Sequence, residues 1–168
     1  MTELRPAEPS DLVAVAALFG HYVETSCATF ELVTPAVSVW EGKLAEARAR
    51  GWPFLVAVDA DELRGFAYSG PWRSPGAYLH TAEESIYLAP DAVGKDLGGL
   101  LLGRLVDDAE AAGVRQLLAV IADTGDPASR LLHRSLGFRE VARLTQVGFK
   151  HGRWLDTWVF QRELGSLI

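Results

Sequence analysis

A chain of 168 residues with 49% apolar side chains is long and apolar enough to bury its own core, which excludes a disordered or fibrous protein. An excess of 22 acidic over 16 basic residues, a net charge of −6, argues against nucleic acid or an anionic membrane as partner. The single cysteine, Cys27, excludes an intrachain disulfide and a cysteine-cluster metal site, and favours a cytoplasmic location.

In chain order, "MTELRPAEPSDL" lacks the apolar stretch of a signal peptide, and no later apolar run approaches the 18 residues of a membrane span. "SDLVAVAALFGHYVETS" opens with Ser10 or Asp11 as a cap and repeats Leu12, Val15, Phe19 and Tyr22/Val23 at helical spacing. Trp40, Leu44 and Ala47 repeat that spacing in a second helix that ends near Gly51. "PFLVAV" and "LRGFAYSG", joined by "DADE", read as a hairpin, and "HTAEESIYLAP" as a further strand. "LGGLLLGRLVDDAEAAGV" is a long helix with Leu97, Leu100/Leu101, Leu105 and Ala109 toward a core. "RQLLAVIA" is a continuous apolar run, the pattern of a strand covered on both faces. "DPASRLLHRSLGF" starts with Asp126 as cap and Pro127 at the first helical position, and stops at Gly137. Two strands around "KHGR" close the chain, with Lys150, His151 and Arg153 as a solvated basic tip or a dimer edge. This order implies an α/β fold: one domain over 1–168, with a mixed, twisted sheet carrying helices on both faces.

Chemistry concentrates at two places. Adjacent acids Glu83 and Glu84 point to opposite faces of a regular strand, so one of them reaches a given site. After that strand, "VGKDLGG" (93–99) precedes the long helix, whose free N-terminal N–H groups form an anion site. His21, His80 and His151 are scattered without metal-ligand spacing, and no metal is expected.

Several segments in the same order, "FGHYVETSCATF", "AYSGPWRSPGAYLHTAEESIYL", "LLAVI…DPASRLLHRSLGF" and "VGFKHGRWLDTWVFQ", resemble the GNAT superfamily of N-acetyltransferases, and within it the phosphinothricin acetyltransferase group. The resemblance implies the GNAT fold, acetyl-CoA as cosubstrate, a small-molecule amine as acceptor and a homodimer. It places Glu83 where the general base lies and His133 near the thioester sulfur, as a proton donor to the leaving thiolate or part of a relay. A base serves this chemistry because only the neutral amine, whose pKa is about 8 for an α-amino group, carries a lone pair. Arg73 is the implied cation for a substrate carboxylate, which a guanidinium matches bidentately. The group often has a second basic or bulky residue where this chain has Pro75. Ser74, Glu84 and Ser85 fall on the substrate side, with Phe30 and Tyr78 as pocket walls. The backbone of Ile86, Tyr87 and Leu88 is expected to pair with the pantetheine arm.

The loop resembles the group's R/Q-G-x-G-x-G pyrophosphate pattern, with Gly94, Lys95, Leu97, Gly98 and Gly99 in place and Val93 and Asp96 as departures. Asp96 at about 5 Å from a phosphate, at an effective dielectric near 40, repels it by roughly 1.5–2 kcal/mol. Its carboxylate is also expected to cap the helix by accepting from the Gly98 or Gly99 amide, in competition with the phosphate, for about a tenfold loss of CoA affinity. Asp tolerates left-handed backbone, so the loop shape is expected to survive. Asp126 stands where the group has an asparagine; an ionised carboxylate only accepts, so a pantetheine carbonyl loses a donor there that Ser129 can replace. The implied reaction is direct acetylation of the α-amine of phosphinothricin, methionine sulfoximine, methionine sulfone or a related amino acid. It passes through a tetrahedral intermediate with no acyl-enzyme, since Cys27 has no base at recognisable spacing. The alternative, motivated by Asp96 and Asp126, is a GNAT-fold protein that binds CoA or a small ligand with weak or lost catalysis.

Overall fold

Phe54, Leu55, Val56 and Ala57 are consecutive and all buried, which requires a packed layer on each side of the strand that carries them. In the computed structural model, which describes residues 1–165, that strand is one of a seven-stranded sheet. The elements are β1 (Glu3–Pro6), α1 (Leu12–Thr25), α2 (Val37–Arg50), β2 (Phe54–Asp59), β3 (Glu62–Pro71), β4 (Thr81–Leu88), α3 (Leu97–Ala111), β5 (Gln116–Ala122), α4 (Ala128–Ser135), β6 (Arg139–Lys150) and β7 (Arg153–Glu163). Across the sheet the order is β1-β2-β3-β4-β5-β7-β6, with β4 and β5 parallel and the other neighbours antiparallel.

Both faces of the sheet are covered by helices. The α1 and α2 stripes, read from Val15, Phe19, Trp40 and Leu44, pack on Phe54, Val56 and Phe66. Trp40 meets Phe19 and Phe66 edge-on, with ring centroids 5.1 and 5.3 Å apart, the arrangement that aromatic quadrupoles favour. On the opposite face Leu101, Leu102 and Leu105 of α3 bury against Leu55, Ala67, Ala82, Leu117 and Phe160. Each of these leucines is fully buried, worth about 1.5–3 kcal/mol apiece, and the three fix α3 to the sheet. Gly51 ends α2 with φ +68°, donating back to Ala47 and Arg48.

The structure departs from the sequence expectations at four places in the fold. β1 was not foreseen; it adds an antiparallel edge through Leu4 and Arg5 opposite Ala57 and Val56. Asp11 stands at the N-cap position of α1 as expected, but its carboxylate serves the preceding short turn Pro9–Asp11, accepting from the Glu8 N–H at 2.8 Å while Arg5 grips it at 2.7 and 2.8 Å. β5 is not covered on both faces throughout, because Val120 is 40% exposed. Lys150 is buried rather than solvated, and its Nζ donates to the Thr29 carbonyl at 2.8 Å. Burial pushes the Lys150 pKa down, the direction that desolvation of an ammonium dictates.

Candidate active site

Parallel pairing of β4 with β5 runs only from Thr81–Glu84 against Gln116–Ala119. Both strands continue, held on their far sides by β3 and β7, so they part after Glu84 and Ala119. A parallel ladder that opens leaves backbone N–H and C=O groups without a strand partner. At this opening lies a groove of about 770 Å³, lined by Ser85, Ile86, Tyr87 and Leu88 on one wall and Val120, Ile121 and Ala122 on the other. The Tyr22 hydroxyl donates to the Leu88 carbonyl at 2.6 Å and ties α1 to the groove's edge.

The groove ends at two helix N-termini. Gly94, with φ +78°, turns the chain into the first. Gly98 lets α3 sit close to its neighbours: a Cβ there would lie 3.3 Å from Leu132 and 3.4 Å from Leu88. Gly94, Asp96, Gly98, Gly99 and also Leu100 line the groove, while Leu97 is buried in the core beside Ala89 and Ala92 and Lys95 is exposed outside it. Leu100 therefore belongs to the groove and not to the core.

Asp96 occupies the N-cap position with φ +58° and ψ 0°, the left-handed backbone that the loop was expected to keep. Its carboxylate makes no capping hydrogen bond, which corrects the expectation of competition for the Gly98 and Gly99 amides. The cause is local: a capping side chain reaches the N2 and N3 amides from extended backbone, and left-handed backbone turns it away. The N–H groups of Leu97, Gly98 and Gly99 thus have no intrahelical acceptor and no Asp96 carboxylate on them. At the second terminus Asp126 Oδ1 does accept, from the Ala128 N–H at 2.9 Å, and both Asp126 and Ser129 line the groove.

His133, on α4, is almost wholly buried at the groove wall. Its Nδ1 lies 2.6 Å from the Ser129 carbonyl, which can only accept, so the proton is on Nδ1. Its Nε2 lies 2.7 Å from Oε1 of Glu84, so a second proton is shared between ring and carboxyl. Burial alone would push the His133 pKa down. The hydrogen bond and charge of Glu84, with the Ser129 carbonyl, outweigh that, and the pKa lies above the ordinary histidine value. Both side chains are 2% exposed, and the other Glu84 oxygen, Oε2, has no hydrogen-bond partner. Sequence reasoning put Glu84 on the substrate side; it instead lies with His133 on the groove wall.

Glu83 points to the other face, as strand alternation requires. It lines a separate cavity of about 300 Å³ with Lys43, Tyr68, Gly70 and Ser85. Burial raises the Glu83 pKa and the charge of Glu84 adds to this, while Lys43 opposes it. Ser85 lines both cavities, so they meet across the opened seam.

The remaining substrate-side residues are not brought in. Arg73, Ser74 and Pro75 are exposed, with the Arg73 guanidinium 5.2 Å from the Trp72 ring, and Tyr78 is exposed on a short turn. Phe30 seats in the notch left by Gly148 of β6, where a Cβ would come within 2.3 Å of its ring. None of the five lines either cavity. Conversely, Lys43, Tyr68, Thr124 and the β5 wall were missed. Their signal is tertiary: where a parallel pair parts, and which helix turn faces the sheet beside it.

Residues 21–138 match the profile of the acetyltransferase (GNAT) family. A phosphinothricin N-acetyltransferase of Alcaligenes faecalis is 40% identical over 163 residues, covering 97% of this chain and 83% of the relative. An L-methionine sulfoximine/L-methionine sulfone acetyltransferase of Salmonella typhimurium is 37% identical over 164 residues, covering 96% and 94%. Among solved structures, a GNAT superfamily phosphinothricin acetyltransferase from Sinorhizobium meliloti in complex with acetyl-CoA superposes with a TM-score of 0.92 at 39% identity, covering 98% of this chain and 89% of that one. The yncA protein from Salmonella typhimurium, solved with its cofactor acetyl-CoA, superposes with a TM-score of 0.95 at 33% identity, covering 100% of this chain and 96% of that one.

Proposed function

The chain belongs to the acetyltransferase (GNAT) family, and we propose that it is an acetyl-CoA-dependent N-acetyltransferase acting on the α-amine of a small amino-acid-like compound. Phosphinothricin, methionine sulfoximine and methionine sulfone are the substrates in the names of its relatives and head the candidates. The observation that carries the reading is the open β4–β5 seam: a groove ending in unsatisfied helix amides on one face, a desolvated carboxyl on the other, and Ser85 between them.

The groove fits acetyl-CoA. The first-turn amides of Leu97, Gly98 and Gly99 suit a pyrophosphate, and the open edge of Ile86–Leu88 suits an amide-bearing arm. Acetyl-CoA supplies the activated acyl group. Glu83 takes the proton from the substrate ammonium, its raised pKa making it a stronger base than a solvated carboxylate. The proton that His133 shares with Glu84 serves the departing thiolate on the groove side. Transfer is direct, for Cys27 is buried at 8% exposure and lines neither cavity. The free helix amides remove one motive for the ligand-binding alternative, since Asp96 does not occupy them.

The described residues, 1–165, form one such domain, and its lone cysteine suits a cytoplasmic protein. Among the described residues no helix is long and apolar enough to cross a membrane, and His, Cys, Asp and Glu form no cluster of three or more placed to hold a metal. A homodimer is part of the proposal. β6 is the outer strand at the end of the sheet away from β1, exposed from Arg139 to Val147, and it presents Val141, Leu144, Val147 and Phe149 beside Trp154. Such an apolar edge is covered in stable proteins. Light scattering on the purified protein checks this, with a monomer at micromolar concentration as the contrary result.

A thiol-release assay with acetyl-CoA across free amino acids and analogues, alongside calorimetry of acetyl-CoA binding, tests the function. Turnover on one or more of them is expected. No release above background on any, with no heat of binding, refutes the enzyme reading.

A further inference from the structure

We infer that Lys43 of α2 binds the carboxylate of the acceptor amino acid and so restricts the enzyme to α-amino acids over plain amines; this rests on the N-acetyltransferase reading above. The small cavity holds one cation, Lys43, and two acids, Glu46 and Glu83. Glu46 is held by Arg50 at 3.2 Å, one helical turn on. Among the described residues Lys43 has no ion pair or hydrogen bond of its own. Its ammonium sits 5.2 Å from the centroid of Tyr68, which lines the cavity, and 5.9 Å from that of the core residue Trp40, so two rings hold it in place.

Trp40, Leu44 and Ala47 bury the face of α2 that adjoins Lys43, which makes the ammonium's origin rigid. An amino acid presents its ammonium and carboxylate one carbon apart. In this cavity Glu83 suits the first and Lys43 the second, which aligns the amine with Ser85 and the seam. Arg73, the cation that the sequence singles out for this task, stands outside on Trp72. A cavity of about 300 Å³ is large enough for a free amino acid.

The test compares L-methionine sulfone with its C-terminal carboxamide at saturating acetyl-CoA, in wild type and in Lys43→Met, which keeps the stem over Tyr68. Wild type is expected to prefer the acid. In Lys43→Met the ratio of kcat/KM for acid over amide should fall about 10- to 100-fold, the value of one charge-assisted hydrogen bond, mostly through KM of the acid. Lys43→Arg should restore most of that ratio, which also shows that position 43 tolerates change. An unchanged ratio overturns the inference, whether both substrates keep their rates or both shift together along a displaced pH profile. The latter would make Lys43 only a tuner of Glu83. If wild type acetylates neither compound nor any other amine, the acetyltransferase reading itself has failed.

Discussion

Replacing Glu84 by glutamine isolates the buried pair behind the groove. Wild-type Glu84 and His133 share a proton over 2.7 Å with both side chains 2% exposed. Because the His133 pKa is raised in the folded chain, the pair's stabilisation is fully present below the unfolded histidine pKa of about 6.5 and is lost as pH rises through the folded value. Glutamine keeps the shape and can donate to a neutral Nε2, so at pH 8.5, where that neutral hydrogen bond takes the pair's place, the substitution should cost no more than about 1 kcal/mol. At pH 5.5 the variant must either strip the ring of its proton or bury an uncompensated imidazolium, and the cost should approach about 3 kcal/mol. Urea unfolding at the two pH values, with m unchanged between proteins, gives both numbers. A cost that is the same at pH 5.5 and 8.5 would refute a shared proton between these side chains.

Other outcomes follow from the same geometry. Glu83→Gln should depress kcat most near pH 7, where the amine is mostly protonated; an equal loss at pH 9.5 would argue against a base. The folded chain raises the Glu83 pKa, so its ionisation costs stability that sets in as pH rises past the ordinary glutamate value and is complete above the raised one. Glu83→Gln should therefore raise Tm at pH 7 and leave it unchanged at pH 3.5, read by calorimetry. Asp96→Gly should lower the KM for acetyl-CoA by up to about tenfold through lost charge repulsion, with Tm nearly constant because no capping bond is lost. A KM that stays or rises removes Asp96 from the binding energetics.

Local signals made much of the fold legible. The apolar period placed α1, α2 and α3, the "DADE" turn gave the β2–β3 hairpin, and strand alternation already separated Glu83 from Glu84. β1 escaped because "ELRP" is four residues of an edge strand with no alternation and a terminal proline. Lys150 looked solvated because a charged turn hides that its side chain folds back on Thr29, 121 residues earlier. The pairing of Glu84 with His133 spans 49 residues and depends on how α4 crosses β4, which no local pattern encodes. Lys43 was invisible for the same reason. Helical spacing puts it beside Trp40, but only the packed sheet shows that a carboxyl faces it.

The most direct measurement is of product. The enzyme is incubated with acetyl-CoA and L-phosphinothricin or L-methionine sulfone, and the amino acid and free thiol are quantified by mass spectrometry. The account predicts a single acetyl group on the α-nitrogen, formed one-for-one with free CoA and lost in Glu83→Gln at neutral pH. Free CoA without N-acetylated product, or an acetyl group retained on the protein, would contradict it.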